Sequence, residues 1–418
     1  MGFEKYGIRA PHILLPKTDL ERWAVVACDQ FTSEGEYWKQ CEQTVGDAAS
    51  ALHLILPEVY LDEPGKEQRI QSIHSKMRAY QEEGLLKELS EGFVLVRRQT
   101  RDGERLGLVA AIDLERYSFE PGAKPLIRPT EGTIESRIPP RLQVRRGATL
   151  ELPHSMVLVD DIDKTLIEPL ASKDLPLLYD FELMLGGGHI QGLFVGKEHF
   201  PKMEEALSAL SLNEGMLFAV GDGNHSLATA KAYWEEIKAG LNPKEQEEHP
   251  ARYTLVELVN LHGEGMVLHP IHRMLFGDEE ATLGFLCGFL PGASVQYLDD
   301  LPTAMKLAKH SPKCAHALAF CHGKKVGVLF MPPTHLLHYG TLQPALDALE
   351  GLGKKVDYIH GDETLCTLSK EGLGLFMPAL DKTSMFQTVE EYGVLPKKTF
   401  SIGYAQDKRY YIECRRIG

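Results

Sequence analysis

The residues best suited to chemistry stand together in the stretch Gly221 to Ser226, which reads GDGNHS. Asp222, His225 and Ser226 offer a carboxylate, an imidazole and a hydroxyl within one short turn. A glycine turn that leads into a helix also brings unpaired backbone amides and a partial positive charge, which favour a phosphate or a carboxylate. A charged histidine is poorly placed there, so we expect His225 to be neutral or to face an anion. The stretch predicts an anion-binding site, although a capped turn needs Gly, Asp and Asn for structural reasons alone.

A buried strand and an amphipathic helix are predicted to hold these residues in place. Leu217 to Val220 are continuously apolar, as expected of a strand that is covered on both faces. Beyond the glycines, apolar residues recur at helical spacing on one face: Leu227, Ala230, Trp234 and Ile237. We therefore expect the helix to begin near Asn224, whose side-chain oxygen suits the N-cap position.

The sequence GDGNHSLATA resembles the DGHHRxxTA signature of a bacterial and archaeal family known only as domain-of-unknown-function family 1015. That signature is similar to the phosphate-binding motif of the ParB and sulfiredoxin superfamily, which includes an archaeal free-serine kinase. The matching positions are Asp222, Gly223, His225, Thr229 and Ala230. Asn224 stands where a histidine is common, and Ser226 stands where the superfamily has an arginine. A serine cannot replace a bidentate arginine, so the resemblance implies that another Arg or Lys substitutes or that phosphate binding is weakened.

A second stretch, residues 124–155, concentrates arginines in an otherwise acidic chain. They alternate with prolines and two glutamates, in the order Arg128, Glu131, Glu135, Arg137, Arg141, Arg145 and Arg146. Composition alone fits either a solvated loop with local ion pairs or an anion-binding loop. Members of the same family carry a similar R-x-x-E-x-T stretch followed by another arginine, and Arg128, Glu131, Thr133 and Arg137 match it. Our hypothesis is that Arg128 or Arg137 supplies the charge missing at Ser226.

Three further stretches resemble segments of the same family. Residues 23–28 predict a buried strand that ends at Asp29, which the resemblance makes a candidate base or metal ligand and which is otherwise a turn or capping residue. The stretch MVLHPIHR contributes candidate anion contacts, namely His269, His272 and Arg273. Its Pro270 argues against the helix on which two histidines three apart could share a metal. Lys397 matches the lysine of a closing PKxT element and is either a solvated lysine or one that reaches the site.

The bulk composition limits the classes of function. With 45 Lys and Arg against 59 Asp and Glu, the formal net charge of −14 disfavours nonspecific binding to nucleic acid or to an anionic membrane. The sequence has neither an apolar run of roughly 18 residues nor the pattern of a signal peptide, so we expect a cytoplasmic protein. Its 7 cysteines include no C-x-x-C pair, and we expect no structural zinc.

The predicted fold class is α/β, with mixed sheets and flanking helices. It combines a ParB/sulfiredoxin-like central strand-turn-helix element with a C-terminal α/β subdomain. We place an N-terminal domain at residues 1–275 and the subdomain at residues 276–418, where helix-like and strand-like stretches alternate. Other predicted elements are hairpins over 93–114 and 179–195, and a helix over 66–89 that breaks at Gly84 before a short second helix.

The resemblance implies phosphoryl transfer from ATP or ADP with Mg²⁺ to a small hydroxyl compound such as an amino acid. Asp222, His225 and Asp29 are the catalytic candidates, and Asp222 or Asp29 would hold the metal. The candidates for phosphate or substrate binding are Gly223, Asn224, Ser226, Arg128, Glu131, Arg137, His269, His272, Arg273 and Lys397.

Two other functions stay open. One is a noncatalytic protein that binds a nucleotide or phosphometabolite, which the serine at position 226 favours. The other is a metal-dependent hydrolase built on His225, His269 and His272. For the phosphotransferase and for the binding protein, the expected partner is a small anionic molecule, with no nucleic acid and no membrane. The sequence does not predict the oligomeric state.

Overall fold

The structure is a computed structural model that describes residues 2–211, 215–312 and 314–418. The chain forms two compact units, unit 1 (Met1–Val267 and Ile402–Gly418) and unit 2 (Leu268–Ser401). These units divide the chain differently from the boundary expected at residue 275, which falls inside the strand Leu268–Phe276. Local helix and strand patterns cannot show that the end of a chain returns to the unit in which the chain began.

The strands and helices are numbered in chain order. The strands are β1 (Ile8–Arg9), β2 (Leu14–Pro16), β3 (Val25–Val26), β4 (Leu86–Glu88), β5 (Phe93–Thr100), β6 (Gly103–Asp113), β7 (Ile127–Pro129), β8 (Leu150–Glu151), β9 (Met156–Val159), β10 (Leu177–Leu183), β11 (Gly188–Val195), β12 (Phe218–Asp222), β13 (Tyr253–Asn260), β14 (Leu268–Phe276), β15 (Ser294–Leu298), β16 (His316–His322), β17 (Lys325–Met331), β18 (Val356–His360), β19 (Gly372–Phe376), β20 (Phe400–Ile402), β21 (Tyr410–Tyr411) and β22 (Arg415–Arg416). The α-helices are α1 (Leu20–Trp23), α2 (Gly35–Val45), α3 (Lys66–Glu82), α4 (Ile138–Arg145), α5 (Phe200–Leu210), α6 (Asn224–Lys238), α7 (Pro243–Glu248), α8 (Glu279–Phe289), α9 (Leu301–Lys309), α10 (His338–Gly351), α11 (Asp362–Leu368) and α12 (Lys382–Tyr392).

The main sheet of unit 1 is mixed. Its strand order is β10-β11-β5-β6-β13-β9-β12-β7, and β1 also pairs with β6. Strand β12 runs antiparallel to β9 and parallel to β7. Since β7 begins the arginine-rich stretch, this pairing places that stretch beside the strand that leads to the GDGNHS turn.

Both faces of this sheet are buried, as β5 illustrates. Phe93 and Leu95 point into one core, which also holds Trp234 of α6. Val94 and Val96 alternate with them and point into a second core on the opposite face. A strand covered on both sides needs apolar residues at every position, which explains the continuous apolar runs in the sequence.

The last residues of the chain are built into unit 1. Strand β21 pairs with β3, and β22 pairs with β8. Trp23 Nε1 donates a hydrogen bond to the carbonyl of Ile412 at 3.2 Å, in the buried interior. The C-terminal segment is therefore part of the core of unit 1 and carries polar residues such as Lys408 into it.

Unit 2 has its own sheet and core. The sheet has the order β15-β17-β16-β19-β14-β18, with mainly antiparallel pairs. Leu318, Phe320 and Leu329 are buried beneath α10, in a core that also contains Leu342 and Leu346.

The predicted α/β class with mixed sheets and flanking helices is confirmed, whereas the likeness of the central element to ParB and sulfiredoxin stays a prediction. Both predicted hairpins form, as β5 with β6 and β10 with β11. The short helix expected after Gly84 is wrong, because Leu86–Glu88 instead pairs as a strand with Leu14–Pro16. Tertiary pairing overrides local helix propensity there.

Candidate functional site

The GDGNHS turn joins the end of β12 to the start of α6. Strand β12 extends to Asp222, beyond the predicted end at Val220. Asp222 pairs with Met156 after an irregularity in the pairing of β12 with β9. Gly223 follows in the left-handed region with φ 75°. A Cβ at Gly223 would lie 2.6 Å from the Ser155 hydroxyl oxygen, so the turn has no room for a side chain. Both its conformation and its packing therefore require glycine.

The helix start differs from the expected capping pattern. Gly223 occupies the N-cap position, and Asn224 is the first helical residue rather than the cap. Gly223, which has a positive φ, takes the N-cap position that Asn224 was predicted to hold. Glycine supplies no side-chain acceptor for the amides of the first turn. The side chain of Asn224 is instead buried, and its Oδ1 has no hydrogen-bond partner among the described residues.

Two contacts bring the arginine-rich stretch to the turn. Thr130 donates from its hydroxyl to the carbonyl of Val220 at 2.6 Å. The backbone N–H of Ile134 donates to Nε2 of His225 at 3.2 Å. Because Nε2 accepts, the neutral form of His225 carries its proton on Nδ1. Beside this contact, the buried Thr133 Oγ1 has no partner among the described residues.

The arginines themselves mostly form ion pairs. Arg141 pairs with Glu58, Arg145 with Glu151 and Arg146 with Glu236. Only the pair of Arg145 with Glu151 lies within the stretch, whereas Glu58 and Glu236 belong to distant parts of the chain. The anion-binding candidates Arg128 and Arg137 are placed differently. Arg128 lies in β7 beside Ala219 and donates to the carbonyl of Pro125, Glu131 is half-buried, and Arg137 is exposed.

A lysine that the sequence reasoning missed lies at the turn. Lys408 Nζ is 3.2 Å from Asp222 Oδ2, and the Lys408 side chain is only 8% exposed. The sequence carried one signal for it, since the apolar run of residues 410–412 predicts a buried strand directly after Lys408. Nothing in the local sequence shows that this strand packs beside β3, so Lys408 is not among the site residues that the sequence predicts.

Asp29 lies close to the same lysine. Its Oδ2 is 3.7 Å from Nε2 of His154, and its Oδ1 accepts from the Gln30 amide at 3.0 Å. Burial alone would raise the pKa of Asp29, but His154, Gln30 and Lys408 together lower it. The side chain of Asp29 is 25% exposed and that of Asp222 is 22% exposed. Unit 1 thus presents two partly exposed carboxylates, Asp29 and Asp222, beside the buried side chains of Lys408 and His154.

The remaining candidates lie in unit 2, where they make contacts of their own. His272 Nε2 is 2.8 Å from Asp362, its Nδ1 accepts from the N–H of Met377, and burial lowers its pKa. Arg273 is fully buried and donates to the carbonyls of Ile271, Lys397 and Lys398. The ring of His269 packs on that of His360, and Lys397 pairs with Glu350 at 2.9 Å. Their roles in binding stay predictions.

Sequence comparison assigns the family. Residues 10–349 match the family described as "Protein of unknown function (DUF1015)". The chain belongs to this family. No curated protein sequence matches the DUF1015 chain significantly.

Several solved structures resemble the DUF1015 chain distantly. A free serine kinase in complex with AMP is 11% identical, with a TM-score of 0.39, over 73% of this chain and 90% of that one. A conserved hypothetical protein from Pyrococcus furiosus is 12% identical, with a TM-score of 0.36, over 73% and 90%. SbnI with a C-terminal truncation, from Staphylococcus aureus, is 13% identical, with a TM-score of 0.36, over 70% and 82%. Likeness at this level carries no argument about activity.

The metal-binding side chains of this DUF1015 protein can be compared with what a bound Mg²⁺ ion requires. Within residues 2–211, 215–312 and 314–418, no group of three or more His, Cys, Asp or Glu side chains is arranged to hold a metal. Mg²⁺ commonly needs only one or two carboxylates, because waters and nucleotide phosphates complete its shell. Asp222 fits that requirement, since Lys408 engages Oδ2 and leaves Oδ1 for a further contact.

The helices in the described part of the chain also bear on membrane insertion. None of them combines the length and the apolar character that crossing a bilayer requires.

Proposed function

We propose that this protein transfers a phosphoryl group from ATP or ADP to a hydroxyl of a small molecule such as an amino acid. The observation that carries the proposal is the buried Lys408, which pairs with Asp222 at the start of α6 and acts on Asp29. A cation with two solvent-facing carboxylates at the start of a helix suits a phosphate, a metal bound to it and a reacting hydroxyl.

Lys408 can supply the positive charge that Ser226 lacks. The superfamily motif has an arginine at the position of Ser226, and a phosphate bound there needs a positive charge. A lysine is an established phosphate ligand that acts as a point charge rather than through a planar fork. In this proposal Lys408 reaches the phosphate from the C-terminal segment, and the amides at the start of α6 contribute the rest of the binding.

The turn also offers contacts for the acceptor molecule. Asn224 Oδ1 and Thr133 Oγ1 are buried polar atoms that have no partner among the described residues. Leaving such an atom unpaired costs about 1–3 kcal/mol, so a ligand or a water is expected beside each. The asparagine oxygen can accept from a hydroxyl or ammonium group, and the threonine hydroxyl can donate to a phosphate oxygen.

The proposed mechanism relies mainly on position and charge. Lys408 and the start of α6 would hold the transferred phosphate, while Asp222 would hold Mg²⁺, which offsets charge on the phosphate oxygens when it is bound. Asp29 would face the hydroxyl of the acceptor. Phosphoryl transfer passes through a loose transition state and asks little covalent chemistry of the protein. The ligand is a small anion, and the proposal involves neither nucleic acid nor a membrane.

A noncatalytic binding protein is the second candidate. It is favoured by Ser226 together with the ion pair between Lys408 and Asp222, because the carboxylate offsets part of the charge available to a phosphate. Such a protein would bind a nucleotide or phosphometabolite reversibly without consuming it.

Turnover separates the two candidates. The purified protein would be incubated with ATP or ADP, Mg²⁺ and single amino acids, and the products followed by phosphorus NMR and mass spectrometry. The proposal predicts a new phosphate ester that forms in step with loss of the nucleotide, and an Asp222→Asn variant that forms much less of it. Binding without consumption would favour the second candidate, and absence of binding would contradict both.

A further inference from the structure

A line of contacts runs from Asp29 into the interior of unit 1. Nε2 of His154 lies 3.7 Å from Asp29 Oδ2. Nδ1 of the same ring lies 2.7 Å from the hydroxyl oxygen of Tyr411. That oxygen in turn accepts a hydrogen bond from the backbone N–H of Cys28 at 3.2 Å. The line joins the end of β3, the segment before β9 and the C-terminal strand β21.

The direction of these hydrogen bonds fixes the proton on His154. The amide of Cys28 can only donate, so it occupies one acceptor position of the Tyr411 oxygen. Burial raises the pKa of Tyr411 well above its usual value, and the phenol keeps its proton. Nδ1 of His154 is a stronger acceptor for that proton than the Cys28 sulfur, which also faces the hydroxyl. Nε2 therefore carries the other proton and faces Asp29 across 3.7 Å, a separation that would tighten to a hydrogen bond when substrate binds.

Only the carboxylate end of the line reaches solvent. Tyr411 is 2% exposed and His154 is 8% exposed, whereas the side chain of Asp29 is 25% exposed. The other groups that act on the carboxylate are Gln30 and Lys408. All three neighbours favour the ionised form. A carboxylate that is held from behind and open in front is suited to receive a proton from a bound molecule.

We propose that His154 and Tyr411 are positioning residues that orient Asp29 to accept the proton of the substrate hydroxyl. This inference rests on the phosphotransferase function proposed above. The hydroxyl oxygen forms a bond to phosphorus, and its O–H bond breaks as the proton passes to Asp29. The bond between phosphorus and the leaving nucleotide oxygen breaks, and that oxygen keeps the electron pair. A weakly basic carboxylate suffices, because the proton leaves late when the transition state is loose.

The test compares steady-state kinetics of the full-length protein and three variants. His154→Ala removes the imidazole that faces Asp29 at 3.7 Å. His154→Gln keeps an N–H at the end of the side chain. Tyr411→Phe removes the hydroxyl that sets the tautomer. Loss of an orienting contact of this kind typically costs about 10- to 100-fold in activity.

We expect His154→Ala to lower kcat by about 10- to 100-fold, while KM and the Kd for the nucleotide change less than about twofold. His154→Gln should recover part of the lost kcat, and Tyr411→Phe should lower kcat with KM preserved. A purely structural role would instead reduce thermal stability and nucleotide affinity together, with no recovery by glutamine.

The chain offers a matched control in unit 1. His262 Nε2 pairs with Asp160 at 2.6 Å, with side chains that are 14% and 30% exposed, close to the values for His154 and Asp29. His262→Ala should leave kcat unchanged. If His154→Ala retains wild-type kcat, or loses no more than the His262→Ala control, the positioning role is overturned and the phosphotransferase proposal stands. If the wild-type protein binds nucleotide and transfers nothing, the proposed function fails and the positioning role fails with it.

Discussion

At the scale of single residues, the turn requires glycine at position 223 for two reasons. The φ of Gly223 is 75°, in the left-handed region that is unfavourable for a residue with a Cβ. A Cβ at this position would also lie 2.6 Å from the Ser155 hydroxyl oxygen. The first reason is local to the turn, whereas the second depends on the tertiary pairing of β12 with β9.

Gly223→Ala should therefore destabilise the protein more than the positive φ alone requires. The strain of a left-handed conformation costs about 1–2 kcal/mol for a residue with a Cβ, and the contact with Ser155 adds to it. Gly122 provides the control, since it has φ +79° and nothing within 4 Å of its Cβ position. Urea denaturation should give a clearly larger loss of unfolding free energy for Gly223→Ala than for Gly122→Ala. Equal losses would show that the contact does not matter.

Lys408 is the residue on which phosphate binding is predicted to depend. Lys408→Met should weaken ADP binding by about 10- to 100-fold, equivalent to about 1.4–2.8 kcal/mol, because the variant retains two carboxylates without their shared cation. Calorimetric titration measures this directly. Lys231→Met is the control, since it removes a lysine of α6 that pairs with Glu235 away from the start of the helix. Similar affinities for both variants would contradict the role given to Lys408.

At the scale of elements, the sequence predicted whether a segment is a helix or a strand better than it predicted where that segment begins and ends. The D-G turn at Asp102 and Gly103 indicated the β5–β6 hairpin, and the helical spacing of Leu227 and Trp234 indicated α6. Asn224 was misplaced as the cap because composition cannot show that the preceding glycine takes the N-cap position. The short strand β4 was missed because its partner is remote in sequence.

Helix α10 of unit 2 carries a feature that should respond to pH. His338 begins the helix and stacks on His316 of β16, with ring centroids 4.1 Å apart. Burial, and then the nearby His316, lower the pKa of His338 from 6.5 to about 4. The pKa of His316 is lowered by burial and by His335, while Thr341 bonds to its Nδ1.

The sign of the effect follows from linkage. The unfolded chain binds the proton of His338 near pH 6.5, and the folded chain binds it only near pH 4. The contribution of the neutral His338 to stability is therefore fully present above about pH 6.5 and decreases as the pH falls towards about 4. His338→Gln should flatten this decrease when thermal stability is measured from about pH 7 to about pH 4. An unchanged slope in the variant would show that other groups cause it.

At the scale of the whole molecule, the return of the C-terminal segment to unit 1 is the feature that sequence reasoning could not reach. Sequence patterns predicted an α/β chain with a second unit, and they located the turn, Asp29 and the arginine-rich stretch. They could not bring Lys408 to the turn or Tyr411 to His154, because the pairing of β21 with β3 joins segments from the two ends of the chain. Lys408 is therefore not among the cations that the sequence predicts for the place of Ser226.

Arg409 should show how strongly this segment is built into unit 1. Its guanidinium pairs with Glu257 at 2.6 Å and with Glu413, and all three side chains are at most 1% exposed. Arg409→Met would leave Glu413 without its buried cation and Glu257 with only Arg105 at 3.9 Å, and loss of a buried ion-pair partner typically costs about 3–5 kcal/mol. Denaturant unfolding should show that loss. For comparison, Arg416→Met, which breaks an exposed pair with Glu88 in the same segment, should cost less than about 1 kcal/mol.

The claim on which the account rests is that the start of α6 and Lys408 bind the phosphate of a nucleotide. Crystallographic electron density for the protein soaked with ADP and Mg²⁺ tests it most directly. The account predicts a phosphate within about 3 Å of Lys408 Nζ and of backbone amides in the first turn of α6. A nucleotide whose phosphates lie elsewhere, with the GDGNHS turn and the pair between Lys408 and Asp222 unaltered, would contradict it.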